Sequence, residues 1–130
     1  MEQPGAEKTI LVVDDEEAVV EFVTALLEDM GFRVLRAYEG RSALEIAQAQ
    51  HPDLILSDIM MPIMDGIKFF NSLKKNPETA SIPVVAITSF VERHPLKSLL
   101  SVGFKDVICK PFNKEDVIRT VQSLLGDEGQ

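Results

Sequence analysis

At 130 residues and 45% apolar composition, the chain has the length of one globular domain and too little material for two independent cores. Its 21 acidic side chains against 13 basic ones leave a net charge of -8, which opposes direct binding to nucleic acid or to an anionic membrane surface. A single cysteine, Cys109, excludes an internal disulfide framework and a multi-cysteine zinc site, and suits a reducing compartment.

Two periodicities alternate along the chain. Ile10-Leu11-Val12-Val13 is a short run with no polar face, as expected of a strand covered on both sides. Val19, Val20, Phe22, Val23, Leu26, Leu27 and Met30 then recur at helical spacing, and Gly31 stands where a left-handed C-terminal cap belongs. A weaker unit follows, with Val34-Leu35 as strand and Ala43, Leu44, Ile46 and Ala47 as helix, ended by His51-Pro52. Leu54-Ile55-Leu56 is a third strand; Ile67, Phe69, Phe70 and Leu73 form a helix that Asn76-Pro77 stops. Pro83 opens a fourth strand, Val84-Val85-Ala86-Ile87, before a helix carrying Leu96, Leu99, Leu100 and Val102 with Gly103 at its end. Val107-Ile108-Cys109 is the fifth strand. The last helix is capped by Asn113, with Asp116 three residues on, and carries Val117, Ile118, Val121, Leu124 and Leu125.

Five such units with right-handed crossovers predict a single α/β domain, an open parallel sheet with helices on both faces. Residues 9–125 make up the domain, while residues 1–8 and 126–130 are polar, aperiodic and expected to fray. The start Met1-Glu2-Gln3-Pro4-Gly5 lacks the basic flank and apolar stretch of a signal peptide. No apolar run approaches the roughly 20 residues that cross a bilayer. No membrane insertion is therefore expected, and the cytoplasm is the expected location.

A parallel sheet brings all its strand ends to one edge, so residues just past those ends meet even when distant in sequence. Here they are Asp14 and Asp15, Asp58, Thr88 and Lys110. Taken alone, Asp14-Asp15-Glu16-Glu17 reads as an acidic helix start that interacts favourably with the helix dipole. Asp58 changes that reading, because two carboxylates about 4 Å apart repel by roughly 4 kcal/mol at an effective dielectric of 20. Lys110 offsets only part of three negative charges, and the remainder suits a hard divalent ion such as Mg²⁺. An acidic metal pocket, a further carboxylate, a hydroxyl and an ammonium are the parts that phosphoryl transfer requires. Asp58, on a central strand, is the expected nucleophile, with Thr88 and Lys110 aimed at phosphoryl oxygens.

At these residues the chain resembles a response-regulator receiver domain of two-component signalling, of the chemotaxis-regulator type, from about Lys8 to Leu125. The resemblance rests on Val12-Val13-Asp14-Asp15-Glu16, on Asp58-Ile59-Met60-Met61-Pro62-Ile63-Met64-Asp65-Gly66, on Ile87-Thr88-Ser89 and on Lys110-Pro111-Phe112. It implies a flavodoxin-like sheet of strand order 2-1-3-4-5 with five helices. It further implies that Asp58 accepts a phosphoryl group from a histidine kinase or a phosphotransfer protein. Asp14, Asp15, Asp58 and the backbone carbonyl of Met60 would hold Mg²⁺, and Thr88 and Lys110 would contact the phosphoryl group. In relatives the face built from the fourth helix, fifth strand and fifth helix binds output domains, dimer mates or target proteins, and the peptide before Pro111 is often cis.

Departures from the family pattern are informative. Val107 stands where relatives commonly carry Tyr or Phe, which excludes a ring-rotation switch at that position; Phe104 and Phe90 read as packing residues. Met60 and Phe90 replace polar side chains that orient a hydrolytic water in relatives, which predicts a longer-lived phosphoryl state than that of a Met60→Asn, Phe90→Glu variant. His51 and His94 read as exposed loop histidines, Cys109 as a small buried hydrophobe, and Met60, Met61 and Met64 as filler rather than a soft-metal site. Residues 1–66 hold 4 basic and 14 acidic side chains, and residues 67–130 hold 9 and 7, so the later half offers the less acidic docking surface.

The expected function is that of a phosphoacceptor receiver that catalyses its own modification and turns over no external product. The alternative is a receiver-like interaction module that works without phosphorylation. An aspartyl-phosphate hydrolase would need a first-strand nucleophile and usually a cap domain. A flavin protein would need a hydroxyl-rich phosphate loop where this chain has four acids.

Overall fold

The computed structural model describes residues 7–59, 65–89 and 96–126. Among them, strands β1 (Thr9–Val13), β2 (Arg33–Ala37), β3 (Leu54–Asp58), β4 (Val84–Thr88) and β5 (Asp106–Cys109) alternate with helices α1 (Glu17–Asp29), α2 (Gly40–Gln50), α3 (Gly66–Lys75), α4 (Leu96–Val102) and α5 (Lys114–Leu125). Every strand pairing is parallel, as the alternating pattern predicts, and the order is β2-β1-β3-β4-β5, as the family resemblance implies.

Strand alternation divides the core in two. Leu11, Val13, Ile55, Val84 and Ala86 pack with α2, α3 and α4 through Ala43, Ala47, Phe69, Phe70, Leu73 and Leu99. Ile10, Val12, Leu54, Leu56, Val85, Ile87 and Ile108 pack on the opposite face against Val20, Val23 and Leu27 of α1 and Val117 and Val121 of α5. Because both faces are covered, β1, β3 and β4 are buried throughout, which is why they read as unbroken apolar runs.

Helix ends follow local chemistry. Gly31 takes φ 98° just after α1, and α2 is closed by His51 in the left-handed region, its N–H donating to the Ala47 carbonyl. Asn113 and Asp116 form a reciprocal capping box at the start of α5. Lys74 pins α3 to the segment before β4 by donating to the carbonyls of Ala80 (2.7 Å) and Ile82 (3.1 Å), with its ammonium 5.1 Å from the Phe70 ring centre. Phe104 is buried and stacked on Phe70 at 4.2 Å, so it is a packing residue.

The expectations for four residues need correction. Cys109 is exposed rather than packed, because β5 is an edge strand and its last residue lies at the rim. Phe22 is 47% exposed, and Leu100 and Val102 are 41% and 52% exposed, since α1 and α4 bury a narrower stripe than their apolar residues span. His51 is exposed as expected. The expectations placed on Met60, Met61, Met64, Phe90 and His94 fall outside the described residues.

Candidate functional site

The topology explains where the site lies. From β1 the chain runs through α1 to β2 on one side, then returns through α2 to β3 on the other. The two connections leave the sheet on opposite faces and open a crevice at the carboxyl ends of β1 and β3. The β1/β3 register pairs Val13 with Ser57, so Asp14 and Asp58 emerge level with each other. Both continue the alternation that directs Val12 and Leu56 to the α1/α5 face, and Lys110 does the same after Ile108.

Carboxylate oxygens of Asp14, Asp15 and Asp58 all lie within 4.8 Å of one another, Asp14 and Asp58 buried and Asp15 exposed. Lys110 serves them as counter-charge: its Nζ is 2.9 Å from Asp14 Oδ2, 3.0 Å from Glu16 Oε1 and 3.7 Å from Asp58 Oδ2. Lys110 is itself set by the fifth strand, where its N–H donates to the Thr88 carbonyl at 2.8 Å, and the Lys110–Pro111 peptide is cis. Thr88 is fully buried at the end of β4. Four of the predicted residues, Asp14, Asp15, Asp58 and Lys110, thus converge, with Thr88 adjoining through the backbone; Met60 is outside the described residues.

Burial pushes the Asp14 carboxyl above its ordinary value, against the opposing pull of the Glu16 N–H (2.9 Å to Asp14 Oδ1) and of Lys110. For Lys110, burial acts to lower the ammonium, but the bonds to Asp14 and Glu16 and the nearby charges outweigh it and hold Lys110 above its usual value. The pocket thus sets the carboxylates of Asp14, Asp15, Asp58 and Glu16 against the Lys110 ammonium, and the first three are the residues that could hold a metal ion.

Sequence reasoning missed two features. Glu16 was legible only as a helix-start charge, yet it is a direct partner of Lys110 across 94 positions of chain. Phe22 and Phe112, with rings 6.2 Å apart, line an open apolar groove of about 510 Å³ that runs from α1 to Lys110. The signal for the groove was the apolar excess on α1 beyond what one buried stripe needs.

Gly66, the first residue of α3, touches the floor of the site. A Cβ there would overlap the Asp58 carbonyl and lie 2.6 Å from Ile59 Cα, and neither backbone atom can yield cheaply. Gly66→Ala should therefore cost roughly 2 kcal/mol or more in urea unfolding and weaken any ligand bound by Asp58. A stability within about 0.5 kcal/mol of the parent would show that the backbone approach is looser than described.

Residues 10–122 match the response regulator receiver domain as a family. The chain belongs to that family. The polar-differentiation response regulator DivK of Brucella ovis is 34% identical over 120 residues, an alignment that covers 92% of this receiver and 98% of DivK. Among solved structures, chemotaxis protein CheY4 of Vibrio cholerae superposes with a TM-score of 0.84 at 30% identity, covering 91% of this receiver and 98% of that chain. The receiver domain of a Pseudomonas aeruginosa sensor histidine kinase, 27% identical with a TM-score of 0.83 over 92% of this receiver and 98% of that chain, was solved with a magnesium ion coordinated in its active-site cleft. Two-component signalling is therefore the setting of this receiver, and none of its described helices is long and apolar enough to cross a membrane.

Proposed function

We propose that this receiver accepts a phosphoryl group on Asp58 and uses the modified state to change its protein contacts. The observation that carries the reading is the convergence of three carboxylates within 4.8 Å around a single ammonium. Such a cluster is costly without a cation, and its donor set of hard oxygens matches Mg²⁺. Asp14, Asp15 and Asp58 would hold the ion, with the Met60 carbonyl completing the protein ligands. Bound there, Mg²⁺ would supply charge neutralisation for the transferring phosphoryl oxygens.

The chain's own residues account for the rest. An Asp58 oxygen forms the new bond to phosphorus as the bond from phosphorus to the donor breaks, and the donor atom keeps the electron pair. The donor is a phosphohistidine of a kinase or phosphotransfer protein, or a small acyl phosphate. Lys110, 3.7 Å from Asp58 Oδ2, needs only a short shift to meet a phosphoryl oxygen, and Thr88 supplies a hydroxyl from the adjacent strand. Because Lys110 and Thr88 are joined by a backbone hydrogen bond, a change at either is transmitted to β4 and β5. The α4, β5 and α5 surface, where Leu100, Val102 and Cys109 are exposed, is the output face in this reading. Val107, half-buried against the α2/α3/α4 core, offers no ring to rotate, so the signal must pass by backbone and packing shifts.

Intact-mass measurement after incubation with Mg²⁺ and a small acyl phosphate tests this directly. The parent chain should gain one phosphoryl group and Asp58→Asn none. No gain from any donor would leave the phosphorylation-independent interaction module as the better reading, and sustained phosphate release would favour a hydrolase.

The raised Asp14 value adds a pH prediction. In the metal-free native state Asp14 takes up its proton at a higher pH than in the unfolded chain, so acidification toward the unfolded value of 3.8 favours the metal-free native form. A proton on Asp14 competes with the ion. The Mg²⁺-induced rise in thermal midpoint should therefore shrink as pH falls through the raised value, beginning above the pH at which an ordinary aspartate titrates. An Mg²⁺ effect that stays constant down to about pH 4 would contradict this assignment.

A further inference from the structure

We infer that Glu16 is a positioning residue for Lys110, the carboxylate that takes over the ammonium when a divalent cation enters the cluster of Asp14, Asp15 and Asp58. The inference rests on the proposed reading of that cluster as a Mg²⁺ site. Lys110 is held between two anions of opposite character: Asp14, whose side chain is fully buried, and Glu16, whose side chain is 62% exposed. Its own side chain is only 17% exposed, so an ammonium released from Asp14 would be left poorly hydrated unless another anion received it. Glu16 is already in place, at 3.0 Å and on the solvent side.

Its backbone shows that the placement is built in. Glu16 is the N-cap residue of α1, with extended dihedral angles, yet its side chain makes no capping bond to the helix. Its N–H instead donates to Asp14 Oδ1 at 2.9 Å, which fixes the residue beside the cluster and leaves the side chain for Lys110. Entry of a dication weakens the contact between Lys110 and Asp14, because both cations draw on the same carboxylate. With Glu16 present, Lys110 gives up Asp14 and keeps a carboxylate partner at 3.0 Å. Without it, the ammonium competes for Asp14 and moves toward Asp58, and the ion binds less well.

Calorimetric titration of the full chain with Mg²⁺ separates this role from a simple field effect. Glu16→Gln should weaken binding about fivefold, and Glu16→Asp, which keeps the charge but shortens the reach, should weaken it by a similar factor. In a Lys110→Met background the Glu16→Gln change should have less than about a 1.5-fold effect, because no ammonium remains to be received. Circular dichroism on each variant establishes that it is folded, and the Glu16→Asp comparison needs no Lys110 variant. Parent-like affinity in Glu16→Asp, or a full Glu16→Gln loss without Lys110, would show that Glu16 acts through its charge alone and would overturn the inference. A parent chain that binds no Mg²⁺ would remove the metal reading as well, whereas Mg²⁺ binding with additive mutational effects would remove the positioning role only.

Discussion

In a chelating buffer, Asp58→Asn should unfold at a higher temperature than the parent chain, by about 3 to 8 °C, equivalent to roughly 1–2 kcal/mol. The sign follows from the cluster. Three carboxylates lie within 4.8 Å of one another with the Lys110 ammonium among them, and each close pair repels by roughly 4 kcal/mol before Lys110 relieves part of it. Replacing one carboxylate by a neutral amide of the same shape removes part of that repulsion and keeps the packing. The order should reverse in Mg²⁺: the parent chain gains stability by binding the ion in the native state only, and the variant gains little. Thermal melts of both proteins with chelator and with Mg²⁺ check the prediction. A variant less stable than the parent under both conditions would mean that Asp58 is a structural residue, and that its charge is not held at a cost in stability for the sake of function.

Lys110→Met should have the opposite sign on the same cluster. Removing the ammonium takes a cation away from 2.9 Å of buried Asp14 and 3.7 Å of buried Asp58, and breaking a fully buried pair costs about 3–5 kcal/mol. The expected loss here is nearer about 2 kcal/mol, since the lysine side chain is partly exposed and burial already inclines Asp14 to accept a proton. Mg²⁺ should restore more stability to this variant than to the parent, because the ion no longer competes with a resident cation. Urea unfolding with and without Mg²⁺ measures both effects. If Lys110→Met were neutral in chelator, the ammonium could not be the group that balances the cluster.

These opposite responses reflect how much of the site was legible in the sequence. Asp14, Asp15, Asp58 and Lys110 could be placed together because each follows a strand whose unbroken apolarity marks it as internal to a parallel sheet. Strand ends are fixed by topology, and the charges on them follow. The second strand was the faintest, and its exposed Arg33 and Arg36 show why: β2 is an edge strand, so its sequence lacks a fully buried run. The same edge effect misled the reading of Cys109 at the other margin of the sheet, where an apolar neighbourhood in sequence is not a buried one in space. Contacts that depend on side-chain reach were not legible. The Glu16 to Lys110 bond joins residues 94 apart, and nothing in either local pattern distinguishes it from two solvated charges. Phe22 was counted with the core of α1 because helical periodicity fixes a side chain's direction but not the width of the surface that covers it.

The central claim is that folding draws these carboxylates into a niche that requires a cation. A crystal structure obtained in magnesium salts tests it most directly. The account predicts one ion held by the carboxylates of Asp14, Asp15 and Asp58, at the roughly 2.0–2.1 Å usual for Mg²⁺ and oxygen, with Lys110 moved off Asp14 toward Glu16. An Asp58 side chain turned away from Asp15, with no ion between them, would contradict it.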